Sequence, residues 1–348
     1  MRKRLTELWS VTSFSFTQEL LAGKMTPTQL LSYTAGQSVS ENFELDGPQF
    51  FRNYPNVSQE DIDAVLATCK DTGSRIRMIG GYMDRSHGAK YPVDQELVMQ
   101  RLHRQLELAS LLGAKRLRLQ FDALRESELD QAIQWAEKFD VRILLELQGS
   151  ATPDQPQVSK IIGWVTKRNH PMLRILIDAS LFMRAFPSTF KHRLSTLGLT
   201  HELIDSIETK WFESPLGEFR SWLLEQVEQE ALPRSIMSQM PTLTSRFGHS
   251  RASDWKSLSP VLDSLHLKYW DADDSAGALS EVARQALSLF DTDDFPGFIV
   301  SEWGGHDWIP LEVASGLEMS FRHRAAVEPV LTHYAKPDQT AVEGARVA

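Results

Sequence analysis

Short apolar runs recur along the chain, each followed by a turn and then by a stretch with helical spacing. Residues 116–121 alternate Leu117, Leu119 and Phe121 against Arg116, Arg118 and Gln120, the period of two of a strand. Residues 141–147 are almost wholly apolar, as a parallel strand buried on both faces should be. Further runs at 11–16, 42–45, 75–79, 173–177, 264–270 and 298–301 complete a set of eight. Asp46-Gly47 and Gly80-Gly81 close the second and third runs, and Asp178 ends the sixth. Between the runs, Leu97, Val98, Leu102, Leu106, Ala109 and Leu112 follow a helical stripe, with Gly113 where a C-terminal cap belongs. Leu129, Ala132, Ile133 and Ala136 form another stripe, with Ser127 as the expected N-cap, and 158–168 and 276–289 read as helices.

Strand and helix in such alternation predict an α/β protein with a (β/α)8 TIM barrel. A doubly wound sheet is the runner-up, but no Gly-x-Gly-x-x-Gly follows the first run. Positions 178 and 266 bracket a stretch too long for one crossover. We expect a helical insertion there between strands 6 and 7, about residues 185–260, with helices near 200–208 and 219–230. The reading is one barrel domain over 1–335 and a flexible polar tail over 336–348.

Composition narrows the class. A hydrophobic share of 42% with 24% charged residues is that of a folded globular chain, not a disordered one. Lys and Arg number 37 against 46 Asp and Glu, and the net charge of -9 would be repelled by phosphate, so no nucleic-acid partner is expected. The lone Cys69 allows no intramolecular disulfide and no cysteine metal site, which suits a reducing compartment. Thr6 and Glu7 interrupt the segment after Arg2, Lys3 and Arg4, so no signal peptide is read there, and no run has the length of a membrane span. The expectation is a cytoplasmic protein with no membrane partner.

Ionisable groups at the ends of apolar runs are the informative chemistry. Glu146 ends the fifth run, Asp178 the sixth, His266 lies in the seventh, and Glu302 follows the eighth. One such acid is more often a helix cap or a solvated loop residue. Four in successive strands of a barrel point into its catalytic mouth. Carboxylates converging there would repel one another or protonate, and a divalent cation removes the difficulty. Three carboxylates and an imidazole suit Mn2+ or Mg2+, with Co2+ or Zn2+ as alternatives.

The same residues carry a resemblance. Gly297-Phe298-Ile299-Val300-Ser301-Glu302-Trp303-Gly304-Gly305-His306-Asp307-Trp308 resembles the last-strand signature of the α subunit of bacterial C-glycoside deglycosidases. That family belongs to the xylose isomerase-like, sugar phosphate isomerase/epimerase superfamily. Ile177-Asp178-Ala179-Ser180-Leu181-Phe182-Met183-Arg184 and His266-Leu267-Lys268-Tyr269-Trp270 resemble two further segments, and the likeness runs over roughly residues 70–325. It implies one divalent metal, Mn2+ first, held by Glu146, Asp178, His266 and Glu302. It implies a 3-oxo-glycoside substrate, elimination of the aglycone after loss of the proton beside the ketone, and a small β subunit as partner. An oligomer is expected.

One departure stands out. The family's Glu-x-His context is here Glu146-Leu147-Gln148, and Gln148 binds hydroxyls but takes no proton near neutrality. His306 is the first choice of base, ahead of Lys268, Glu146 and Glu302; a loop histidine that only binds substrate is the competing reading. Lys268, two residues from His266, faces the same side of its strand and suits an oxyanion or an ion pair. Gln148, Arg118, Arg184, Trp303, Trp308 and His249 are candidate substrate contacts, and Arg246 and His249, in Ser245-Arg246-Phe247-Gly248-His249, are expected in the mouth-facing part of the insertion. A metal-dependent lyase leads, a sugar isomerase or epimerase with the same metal is the alternative, and a non-catalytic binding subunit is the third reading.

Overall fold

The computed structural model describes residues 4–85, 94–275, 277–291 and 295–335. The expected polar tail and Ala276, the first residue of the expected 276–289 helix, lie outside the described residues.

Eight parallel strands close into a barrel in sequence order. They are β1 (Trp9–Thr12), β2 (Asn42–Asp46), β3 (Arg75–Gly80), β4 (Arg116–Gln120), β5 (Arg142–Leu147), β6 (Leu173–Asp178), β7 (Leu262–Tyr269) and β8 (Ile299–Trp303). β8 pairs back onto β1, with Trp9 opposite Ile299. Helices Pro27–Gly36, Gln59–Thr72, Gln95–Leu111, Leu129–Phe139, Pro156–Arg168, Ala278–Leu287 and Gly316–Leu331 surround the strands, and a 3-10 segment Ala252–Val261 stands in the layer before β7. Leu102, Leu106, Ala109, Leu129, Ala132 and Ala136 are buried against the sheet, which is why a single apolar stripe sufficed on each helix. Among the described residues no helix is long and apolar enough to cross a membrane.

The boundaries differ from the sequence reading where side chains intervene. β1 stops at Thr12, because its hydroxyl accepts the Phe14 amide at 3.3 Å and turns 13–16 into a 3-10 segment instead of strand. Ser127 does not cap the next helix: it lies inside the turn Glu126–Glu128, and Glu128 occupies the cap position. The Glu128 carboxylate accepts the Arg125 amide at 2.8 Å and pairs with Arg85. The helix expected at 276–289 runs Ala278–Leu287 behind Gly277, whose φ of 69° suits glycine. β6 and β8 extend one and two residues beyond the runs read from the sequence, so Asp178 and Glu302 lie within the strands.

Between β6 and β7 three helices, Ser188–Thr196, His201–Glu213 and Leu216–Glu228, build a second apolar cluster from Phe186, Phe190, Trp211, Phe219, Phe247 and Trp270. The cluster is riveted to the loop after β5 by backbone. A Cβ on Gly248 would lie 1.9 Å from the Gly149 carbonyl oxygen, and one on Gly149 1.9 Å from that of Ser245. Only glycines allow that crossing, and Gly149 also has φ 58°.

Candidate metal centre

Alternation along a strand places His266 and Lys268 on one face of β7, and register places Asp178 opposite His266 and Lys268 opposite Glu302. With Glu146 on β5, these side chains meet inside the barrel. Glu146, Asp178, His266 and Glu302 each offer a ligand atom within 4.8 Å of all the others. All are buried, at 2%, 0%, 0% and 5% exposure, so the charges have little water to relax them.

Each member has one polar atom spent on scaffold and one aimed at the others. Glu146 Oε2 accepts from Arg118 at 2.9 Å, while Oε1 lies 3.0 Å from His266 Nδ1. Asp178 Oδ1 accepts the Ser180 amide at 2.8 Å, and its buried Oδ2 has no partner. Glu302 Oε1 pairs with Lys268, while Oε2 lies 2.6 Å from His266 Nδ1. His266 Nε2 faces Glu44 Oε2 at 2.7 Å. Neither ring nitrogen is aligned for a hydrogen bond to these oxygens.

Electrostatics follow from the crowding. Burial pushes the Asp178 carboxyl up to about 7, with the Glu302 and Glu146 charges adding to it. Burial also raises Glu146 and Glu302, but Arg118 and His266 outweigh it at the first, and Lys268 and His266 at the second, so both are held low. His266 is desolvated, yet Glu44, Glu146 and Glu302 lift it well above the usual imidazole range. A proton on His266 thus does the work of a cation at the centre of the carboxylates.

The donor set fits a divalent ion. Two ligands held about 2.0–2.2 Å from an ion at a right angle stand about 3 Å apart, and the Nδ1 contacts to Glu146 and Glu302 are of that size. The orphaned Asp178 Oδ2 supplies an oxygen without a hydrogen-bond partner. Three carboxylates with one imidazole match Mn2+, Mg2+ or Zn2+ chemistry.

The remaining sequence candidates divide in two. Arg118, Lys268 and Gln148 sit at the quartet, Gln148 Nε2 lying 3.5 Å from Glu146 Oε2. His306 is 7% exposed in its side chain, feels the Lys268 and Glu302 charges, and has a buried Nδ1 without a partner. Burial and Lys268 lower its proton affinity. Phe14 lies between the two, its ring 5.0 Å from Lys268 Nζ and 4.7 Å from the His306 ring. The structure does not bring the others to the quartet. Trp303 is on the opposite face of β8 from Glu302, with no exposure, packed on Tyr269. Trp308 joins the insertion's aromatics and donates its indole N–H to Thr189 Oγ1 at 3.2 Å. His249 lies between Trp211 and Phe212, and Arg184 bonds Gln285 at 2.7 Å on the surface.

Three site residues escaped the sequence reading. Glu44 and Asp46, on β2, both contact Arg118. Phe14 was read as strand. An acid flanked by Phe43 and Leu45 inside an apolar run was the available signal for Glu44. Arg246, expected in the mouth-facing part of the insertion, pairs with Asp307 at 3.2 Å and ties the insertion to the loop after β8.

The fold and this centre define the class: a closed (β/α)8 barrel of eight parallel strands with a buried carboxylate and imidazole cluster inside it. No family model matches the chain. Over 334 residues it is 20% identical to a C-glycoside deglycosidase alpha subunit of Arthrobacter globiformis, covering 94% of each chain. Among solved structures it resembles a sugar phosphate isomerase/epimerase of Parabacteroides distasonis, with TM-score 0.51, 10% identity, and 96% and 98% coverage. It also resembles the IolI protein solved with a zinc atom, with TM-score 0.53, 10% identity, and 95% and 100% coverage.

Proposed function

We propose that this chain is a metal-dependent enzyme acting on sugar derivatives, and specifically the large subunit of a lyase that cleaves 3-oxo-glycosides. The quartet of Glu146, Asp178, His266 and Glu302 carries the reading. The full-length likeness to a C-glycoside deglycosidase alpha subunit supports the substrate class and a small partner subunit. Mn2+ is the proposed ion, and when bound it would supply a Lewis acid that polarises the ketone and acidifies the neighbouring C–H bond.

The chain's own groups do the rest. His306 is the proposed base: its buried Nδ1 has no other partner, and its lowered proton affinity keeps the ring neutral and ready. Lys268 places an ammonium beside the site for the developing oxyanion. Gln148 is positioned to bond a sugar hydroxyl. Once the proton between the ketone and the anomeric carbon has gone to His306, the C–H electron pair becomes a C=C bond. The bond from the anomeric carbon to the aglycone breaks, and the aglycone leaves with that bond's electrons and takes up a proton.

A sugar epimerase is the second reading, favoured by Gln148 in the Glu-x-His context and by the fold shared with sugar isomerases. The test is NMR in D2O of a 3-oxo-glycoside with the Mn2+-loaded chain, alone and with a small partner subunit. Aglycone release supports the lyase. Exchange of the proton beside the ketone without release supports the epimerase. Neither exchange nor release would leave a binding subunit, and full activity after chelation would refute the metal-dependent reading.

A further inference from the structure

Glu44 is fully buried in the middle of β2, two strands round the closed barrel from β8 and three from β7. A carboxylate there is costly unless its oxygens have partners. Oε1 accepts from Arg118 Nε at 2.6 Å, and Oε2 faces His266 Nε2 at 2.7 Å without an aligned hydrogen bond. Arg118 spends its remaining arms on Glu146 Oε2 at 2.9 Å and Asp46 Oδ2 at 3.4 Å. One guanidinium therefore joins the carboxylate behind the imidazole to the carboxylate beside it.

We propose that Glu44 and Arg118 are positioning residues for the ion: Glu44 sets which nitrogen of His266 faces it, and Arg118 sets which oxygen of Glu146 does. This rests on the reading of the quartet as a metal centre. A negative charge at Nε2 favours the proton on that nitrogen and leaves the Nδ1 lone pair for the interior. Nδ1 is the nitrogen already facing Glu146 Oε1 and Glu302 Oε2. With Oε2 of Glu146 held by Arg118, Oε1 is the atom left to turn inward. Arg118 is thereby reassigned from substrate contact to scaffold.

Gly80 on β3 makes room for this brace. A Cβ there would stand 2.6 Å from Arg118 Nη2 and 3.0 Å from Glu44 Oε1. Gly80→Ala would displace Arg118 without altering a ligand or a charge, which separates positioning from bulk electrostatics.

The experiment measures Mn2+ affinity by calorimetry on the chelator-treated full chain, for the unaltered protein, Glu44→Gln and Gly80→Ala. Thermal unfolding without metal is the folding control. Both variants should bind Mn2+ roughly 10–100-fold more weakly. At saturation, their Mn2+ EPR lines should be broader than those of the unaltered protein, reporting a looser ligand set. A merely destabilised chain would give the unaltered spectrum once saturated. Unaltered affinity and spectrum in both folded variants would overturn the proposal, and if Glu44→Gln fails to fold, Gly80→Ala decides alone. Absence of Mn2+ binding by the unaltered protein would instead overturn the metal centre itself.

Discussion

Replacing Asp178 by asparagine should make the metal-free protein more stable at alkaline pH, although it removes a ligand. The side chain is fully buried, and its carboxyl is pushed from 3.8 to about 7. Between those values the folded chain holds a proton that the unfolded chain has lost. Its contribution is fully present below 3.8 and is lost as pH rises through about 7. At about 1.4 kcal/mol per pH unit, ionising this group in the fold costs at most about 4 kcal/mol, and relaxation toward Lys268 and His266 brings the expected gain nearer 1–3 kcal/mol. Asparagine carries no charge, and its Oδ1 can still accept the Ser180 amide. Urea unfolding followed by tryptophan fluorescence, in EDTA, should therefore favour Asp178→Asn at pH 8.5, and the gap should shrink at pH 5. Saturating Mn2+ should reverse the order, since only the unaltered protein gains the full binding free energy. A variant no more stable than the parent at pH 8.5 in EDTA would refute the account of a centre strained by its own carboxylates.

Two further outcomes follow. His306→Ala should lower deuterium exchange at the carbon beside the ketone by about 10²–10⁴-fold while leaving Mn2+ affinity unchanged; retention of the full rate would assign the base elsewhere. At the opposite end of the barrel, buried Asp263 serves both Arg116, at 2.5 Å, and Arg142, and its carboxyl is held low because the two guanidinium charges outweigh the effect of burial. Asp263→Asn should cost about 3–5 kcal/mol in urea unfolding at pH 7. The loss should fade as pH falls below about 4, where the unfolded carboxyl protonates and the parent loses the same contribution.

Much of this architecture was legible from pattern alone. The eight runs became the eight strands because a buried parallel strand reads either as a nearly continuous apolar run, as at 141–147, or as an alternation of period two, as at 116–121. The convergence of the quartet was legible because ionisable groups recur in four successive strands, where a single one would more often be a cap or a solvated loop residue. What escaped depended on contacts distant in sequence. Arg118 was read as a substrate contact, and only closure of the barrel shows that its partners are Glu44 and Glu146. Phe14 reached the site because Thr12 ended its strand early. Trp303 is adjacent to Glu302 in sequence, but the pleat sends it to the other side of the sheet.

The paired glycines where residue 149 crosses residue 248 set how the entrance can vary. The loop that begins at Gln148 and the turn that carries Arg246 share one backbone joint, so a shift of one bears on the other. Side chains on the far helices of the excursion are free to diversify and reshape what is admitted. Any insertion or bulkier residue at the joint itself would be felt at Glu146, three positions away.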